Sequence, residues 1–127
     1  GQDKDQNTIA EDLIKKGAAI RSAANNGVAF LWVCGGIQLA GHAYIDSDGN
    51  HLPGVGILDL ETYAGDKRLI GNVVAEADFD KYRFPIVGYE NHIGRTMLGS
   101  DVRPLAKSSK GMEIMERALK KERYSNA

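Results

Sequence analysis

The sequence predicts an open α/β fold, a mostly parallel sheet flanked by helices. Three observations carry that expectation. Residues 28–34 (Val-Ala-Phe-Leu-Trp-Val-Cys) form an uninterrupted apolar run. A strand that is apolar on both sides is one covered on both faces, as in parallel sheets. Gly35-Gly36 follow at once and lead into a short helical stretch at 37–42, so strand, glycine turn and helix come in the order of a doubly wound unit. The 127 residues are 43% hydrophobic and 26% charged, which fits one ordinary soluble domain.

Each element has its own signal. Thr8 and Glu11 have the spacing of a capping box, in which each side chain satisfies an orphan N–H at a helix start. Ile9, Leu13, Ile20 and Ala24 then recur on one helical face, while Gly17 weakens the middle and leaves open one helix or two short ones. Asn25-Asn26-Gly27 is the expected stop, because Asn and Gly accept the left-handed conformation of a helix C-terminus. From Ala43 to Glu76 the pattern turns to β, with Asp48-Gly49 as a hairpin turn after 43–45. Further strands are expected at 56–60, 69–77 and 84–90, the last opening near a proline. Met112, Met115 and Leu119 fall on one stripe of an expected helix within 111–123.

Several function classes are excluded or disfavoured. With 16 Lys+Arg against 17 Asp+Glu the net charge is −1, so neither nucleic acid nor an anionic membrane surface is an expected partner. No apolar run approaches the ~20 residues that span a bilayer, so no membrane insertion is expected, and the polar, acidic N-terminus does not resemble a secretory leader. One cysteine permits neither an internal disulfide nor a multi-cysteine zinc site, and it fits a reducing, cytoplasmic setting. His42, His51 and His92 lack ligand spacing, so no metal is expected. Residues 46–50 (Asp-Ser-Asp-Gly-Asn) resemble the start of a calcium loop, but His51 and Ile57 stand where glycine and a bidentate glutamate are needed. A solvated hairpin turn is the better reading.

Chemistry concentrates at Cys34. It closes the apolar run and precedes two glycines and a helix, the arrangement of a nucleophile elbow. Glycine is needed there because a side chain would collide where the chain reverses and backbone N–H groups must approach a substrate. A buried core cysteine is the competing reading of the same pattern. Residues 90–96 (Glu-Asn-His-Ile-Gly-Arg-Thr) place an acid, an amide, an imidazole and a guanidinium in an expected loop after a strand. Either that loop carries function, with His92 as a base for Cys34, or it buttresses its neighbours. Arg68, in Asp66-Lys67-Arg68, belongs to a charged turn or offers paired hydrogen bonds to a substrate carboxylate.

At these residues a family resemblance enters. Val33-Cys34-Gly35-Gly36-Ile37-Gln38-Leu39 resembles the elbow of class I glutamine amidotransferases of the cobyric-acid-synthase-like type. Gly1-x-Asp3-x-x-Gln6 is similar to the family's glycine-rich loop. Gly54-x-Gly56-Ile57-Leu58-Asp59, Arg68-Leu69-x-Gly71-Asn72-Val73-Val74 and Gly88-Tyr89-Glu90-Asn91-His92-x-Gly94-Arg95-Thr96 continue the match in order. The resemblance covers roughly residues 1–105 and is closest to the branch that amidates lipid II.

The resemblance implies a flavodoxin-like glutamine amidotransferase domain over residues 1–127, incomplete at both ends. It makes Cys34 the nucleophile on the side-chain amide of glutamine, with Gly35 at the oxyanion, and Arg68 and Gln38 on the substrate. Ammonia would pass to a Mur-ligase-like, ATP-dependent synthetase subunit that amidates the D-glutamate of lipid II, and this chain would need no cofactor. The sequence departs from the family in lacking its Tyr-Leu-His-Gly-like histidine motif, so the isolated chain is expected to be weak or inactive. A cobyrinate or cobyric acid amidotransferase and a non-catalytic module that docks a synthetase are the alternatives.

Overall fold

The computed structural model describes residues 6–110. The glycine loop at Gly1 and the helix expected at 111–123 lie outside the described residues.

α1 (Gln6–Asn25) is one unbroken helix of 20 residues. Thr8 therefore sits inside the helix and does not cap it. Gly17 is buried, and a Cβ there would lie 3.7 Å from Val55. It is the point of close approach to a neighbouring loop, not a break. The end follows the expectation: Gly27 has φ +81°, its N–H bonds Ala24 O at 3.0 Å, and the Val28 N–H bonds Ala23 O at 3.1 Å. This pair of bonds satisfies carbonyls left over by the last helical turn. Ala10 is fully buried, while Ile9 is exposed, contrary to its expected place on the inner face.

The apolar run 28–34 is the main correction. It belongs to no strand among the described residues, and most of its side chains are exposed, Leu31 at 90% and Val33 at 64%, with Trp32 half-buried. Phe30 and Trp32 stack on each other with ring centroids 5.5 Å apart. Hydrophobicity reports a tendency to be buried; it does not supply the neighbouring strand.

α2 (Gly35–Ala40) follows, then β1 (Ala43–Ile45), β2 (His51–Pro53), β3 (Leu60–Phe79), β4 (Tyr82–Leu98) and β5 (Ala106–Lys110). The sheet order is β2-β1-β3-β4, with β5 paired to β3. The fold is α/β with an open, mixed sheet: β1 lies parallel to β3, whereas β1–β2, β3–β4 and β3–β5 are antiparallel. The hairpin between β1 and β2 turns at Asp48-Gly49 as expected, with Gly49 at φ +83°. Asp46 organises that turn by accepting the N–H groups of Asp48 and Asn50 at 2.9 and 2.8 Å, and it takes the Asn50 side-chain amide as well.

Two other expectations are revised. The strand expected at 69–77 is part of the much longer β3, whereas 54–59 is irregular and only Leu60 enters the sheet. The segment 90–96, expected as a loop, lies within β4 and pairs with β3. The two long strands reverse at Asp80-Lys81, where Asp80 adopts φ +56°, a conformation Asp tolerates better than most residues. The core lies where α2, β1 and the inner part of β3 meet: Leu39, Ala40, Ala43, Ile45, Val55 and Leu60 are buried. Each buried leucine there contributes roughly 1.5–3 kcal/mol.

Candidate active site at the elbow of Cys34

Cys34 stands immediately before α2 with φ 53° and ψ −118°, a backbone conformation that costs a non-glycine residue about 1–3 kcal/mol. The turn is held by the Gly36 N–H on Val33 O at 2.9 Å and the Ile37 N–H on Cys34 O at 3.1 Å. The cysteine is exposed, so the buried-core reading of this residue fails. Gly35 directly behind it is buried.

A helix of six residues cannot hold itself, and its neighbours do so. The Val55 N–H bonds Leu39 O at 2.8 Å, Ile57 and Leu58 both reach Ala40 O, Gly56 reaches Gly41 O, and Gly54 reaches His42 O. The irregular segment 54–58 thus satisfies the carbonyls at the C-terminal end of α2, groups that would otherwise be orphaned. Its glycines are needed for contact: a Cβ on Gly54 would run into the carbonyl oxygens of Gly41 and Leu39. Arg21 of α1 donates to Val55 O at 2.6 Å and holds the same segment from the other side. These N–H groups serve the helix in place of a strand ladder, which is why the strand expected at 56–60 does not form.

Asp59 closes this region. One carboxylate oxygen accepts the Asp101 N–H at 3.0 Å, and the other meets His42 Nε2 at 3.1 Å. The Asp101 hydrogen bond, then that of His42, hold the Asp59 carboxyl below its ordinary value of 3.8. His42, Asp59, Glu61 and Tyr63 are among the residues lining a cleft of about 160 Å³.

Gln38, one turn beyond Gly35, is buried, and its side chain lies over Gly94 of β4. A Cβ on Gly94 would come within 2.7 Å of both Gln38 Nε2 and Thr62 Cγ2. Beneath it, Thr62 and Thr96 share a buried hydrogen bond of 2.9 Å across β3 and β4. The elbow helix and the Gly-Arg-Thr segment, remote in sequence, are therefore in contact.

Arg68 lies where β3 leaves its regular ladder. Ala64 pairs with Gly94 and Leu69 with His92, so four residues of β3, Gly65 to Arg68, oppose Ile93 alone. The exposed Arg68 guanidinium donates to Asn91 Oδ1 at 3.1 Å. Arg95 fills the bulge, donating to Lys67 O at 2.9 Å, Ile93 O at 2.8 Å and Gly94 O at 3.3 Å. His92 donates from Nδ1 to Gly94 O at 2.9 Å and places Nε2 3.3 Å from Glu90. The structure thus brings Gln38 to Gly94 and Arg68 to Asn91, two positions of one short segment of β4. It engages His92 with Glu90 and the Gly94 carbonyl. The roles of Arg95 and Asp59 as clamps were missed in the sequence, because both depend on partners remote along the chain.

The structure places an exposed cysteine at the apex of a strained turn, at the head of a helix held by the glycine-containing segment 54–58. The sequence profile of the CobB/CobQ-like glutamine amidotransferase domain matches residues 1–126, and the chain belongs to that family. It is 41% identical over 96 residues to the GatD subunit of the glutamine-hydrolysing lipid II isoglutaminyl synthase of Staphylococcus aureus strain N315, covering 76% of this chain and 38% of that protein. Its identity to the Streptococcus pneumoniae R6 subunit of the same name is 37% over 107 residues, covering 83% of this chain and 40% of that one. A cobyric acid synthase from Pelotomaculum thermopropionicum is 38% identical over 99 residues, covering 69% of this chain and 19% of that protein. The chain spans about two fifths of the length of the GatD subunits it matches. Among the described residues no helix is long and apolar enough to cross a membrane.

Proposed function

We propose that this chain carries the cysteine nucleophile of a glutaminase domain that supplies ammonia to a Mur-ligase-like, ATP-dependent partner for amidation of the D-glutamate of lipid II. The observation that carries the reading is the exposed Cys34 at φ 53° at the head of α2. In the proposed reaction the Cys34 thiolate forms an S–C bond to the side-chain amide carbon of glutamine. The carbonyl π electrons move to oxygen, where the Gly35 N–H stabilises the oxyanion. Collapse breaks the C–N bond, and the nitrogen leaves as ammonia once protonated, giving a glutamyl thioester. Water then hydrolyses the thioester to glutamate and restores the thiol. Arg68 takes the substrate α-carboxylate through charge-assisted hydrogen bonds, and Gln38 braces the elbow against β4.

The lipid II branch is supported by the 41% identity to the Staphylococcus aureus GatD subunit, against 38% to the cobyric acid synthase, and by both GatD matches covering more of this chain, 76% and 83% against 69%. Proton transfer is the weak point of this chain's own chemistry. His92 is engaged by Glu90 and Gly94, and His42 by Asp59. General-base assistance contributes about 10²–10⁴-fold, and the family's Tyr-Leu-His-Gly-like motif is not in this sequence, so the chain alone is expected to turn over slowly while the thiol still reacts. The test is alkylation of Cys34 by a chloroketone analogue of glutamine, followed by mass spectrometry beside ammonia release. Saturable single-site labelling that glutamine competes away, and that Cys34→Ala abolishes, is expected. Labelling indifferent to glutamine overturns the reading.

A further inference from the structure

The four-to-one mismatch between β3 and β4 needs an explanation of its own. Gly65 to Arg68 leave the ladder opposite Ile93, and such an excursion strands backbone carbonyls that must find donors. Arg95 provides one for Lys67 and spans the mismatch to β4. Its guanidinium reaches Lys67 O inside the bulge and Ile93 O and Gly94 O on its own strand. A Cβ on Gly65 would lie 2.6 Å from Ile93 O and 2.8 Å from Arg95 Cζ, so glycine is what lets the bulge settle onto the guanidinium. A planar fork of five donors can satisfy several carbonyls at fixed angles, which a lysine ammonium cannot reproduce. The residue that ends the bulge is Arg68, and Asn91 Oδ1 accepts from its guanidinium at 3.1 Å.

We infer that Arg95 and Asn91 are positioning residues for Arg68: Arg95 sets the path of the bulge that carries it, and Asn91 orients its guanidinium toward the α-carboxylate of glutamine. The inference rests on the glutaminase reading for the role of Arg68 itself. It assigns the Gly-Arg-Thr and Glu-Asn-His segments of β4 to substrate recognition through another residue, with neither Arg95 nor Asn91 acting on the thiol.

The experiment separates recognition from thiol reactivity. The full chain and its Asn91→Ala, Arg95→Lys and Arg95→Ala variants are titrated with the chloroketone analogue, which carries an α-carboxylate. In parallel, Cys34 is alkylated with iodoacetamide, which presents nothing for Arg68 to bind. The concentration of analogue for half-maximal labelling rate is expected to rise about tenfold or more in Asn91→Ala and Arg95→Lys, the loss expected for a charge-assisted hydrogen bond. Their iodoacetamide rates stay within about twofold of the parent, since the elbow itself is untouched. Asn91 is exposed, so its truncation leaves the fold intact even if Arg95→Ala does not fold. Half-saturation unchanged in Asn91→Ala and Arg95→Lys overturns the inference while the glutaminase reading stands. Equal losses with both reagents overturn it too, since they mark a collapsed elbow. A parent chain whose labelling by the analogue does not saturate overturns the glutaminase reading and this inference together.

Discussion

The two ends of the elbow helix are held in opposite ways. Behind α2, the carbonyls of Leu39, Ala40, Gly41 and His42 each receive an N–H from 54–58, and glycine lets the two backbones touch. Ahead of it, the run 28–33 makes no ladder among the described residues and turns Leu31 and Val33 outward. The nucleophile stands at the boundary. Its backbone strain is therefore supported from the C-terminal side of the helix, so the integrity of 54–59 governs the site more than the apolarity of the run that leads into it.

The largest expected effect tests the supported side. Gly54→Ala drives a methyl into the carbonyls of Gly41 and Leu39, and since the obstacle is backbone it costs about 3 kcal/mol, at the upper end of overpacking. Urea denaturation checks it, with a lowered midpoint and an unchanged slope as the expected result.

A smaller effect concerns Asp59, whose carboxyl is held below 3.8 by the Asp101 N–H and by His42. A group with a depressed folded value contributes stability above its unfolded value and loses that contribution as the pH falls through the folded one. Stability of the parent therefore falls from about pH 4 downward, and Asp59→Asn flattens that acid limb while leaving the profile above it parallel. Thermal melts between pH 2 and pH 7 read this out directly, against the ordinary value of 3.8.

The smallest effect belongs to the unsupported side. Leu31 is 90% exposed, so Leu31→Ser changes folding stability by no more than about 0.5 kcal/mol. A loss of about 2 kcal/mol or more in the same urea titration would show that the run is covered in the folded protein, and the contrast between the two ends would disappear.

Much of the site was legible from local signals. The turn of Gly27, the hairpin at Asp48-Gly49 and the turn at Cys34 into α2 all rest on bonds between residues a few positions apart, and all three form where expected, although the strand expected to lead into Cys34 does not. Gln38 and Arg68 were singled out through their family motifs, and what they touch, Gly94 and Asn91, was not legible. The errors share a cause. Residues 28–34 read as a buried strand, 56–60 as a strand and 90–96 as a loop, because an apolar or polar pattern records preference for an environment while the partner lies far along the chain.

The sequence by itself determined the α/β class, the turns at Gly27 and Asp48-Gly49, and the cysteine at a glycine turn before a helix, since these depend on local sterics and short hydrogen bonds. Tertiary structure alone decided that 54–58 would cap α2, that Gln38 would rest on Gly94, and that Arg95 would bridge a bulge ending at Arg68. Those arrangements arise because a backbone group taken from water must be paired. Which remote segment supplies the pair follows from how the elements pack.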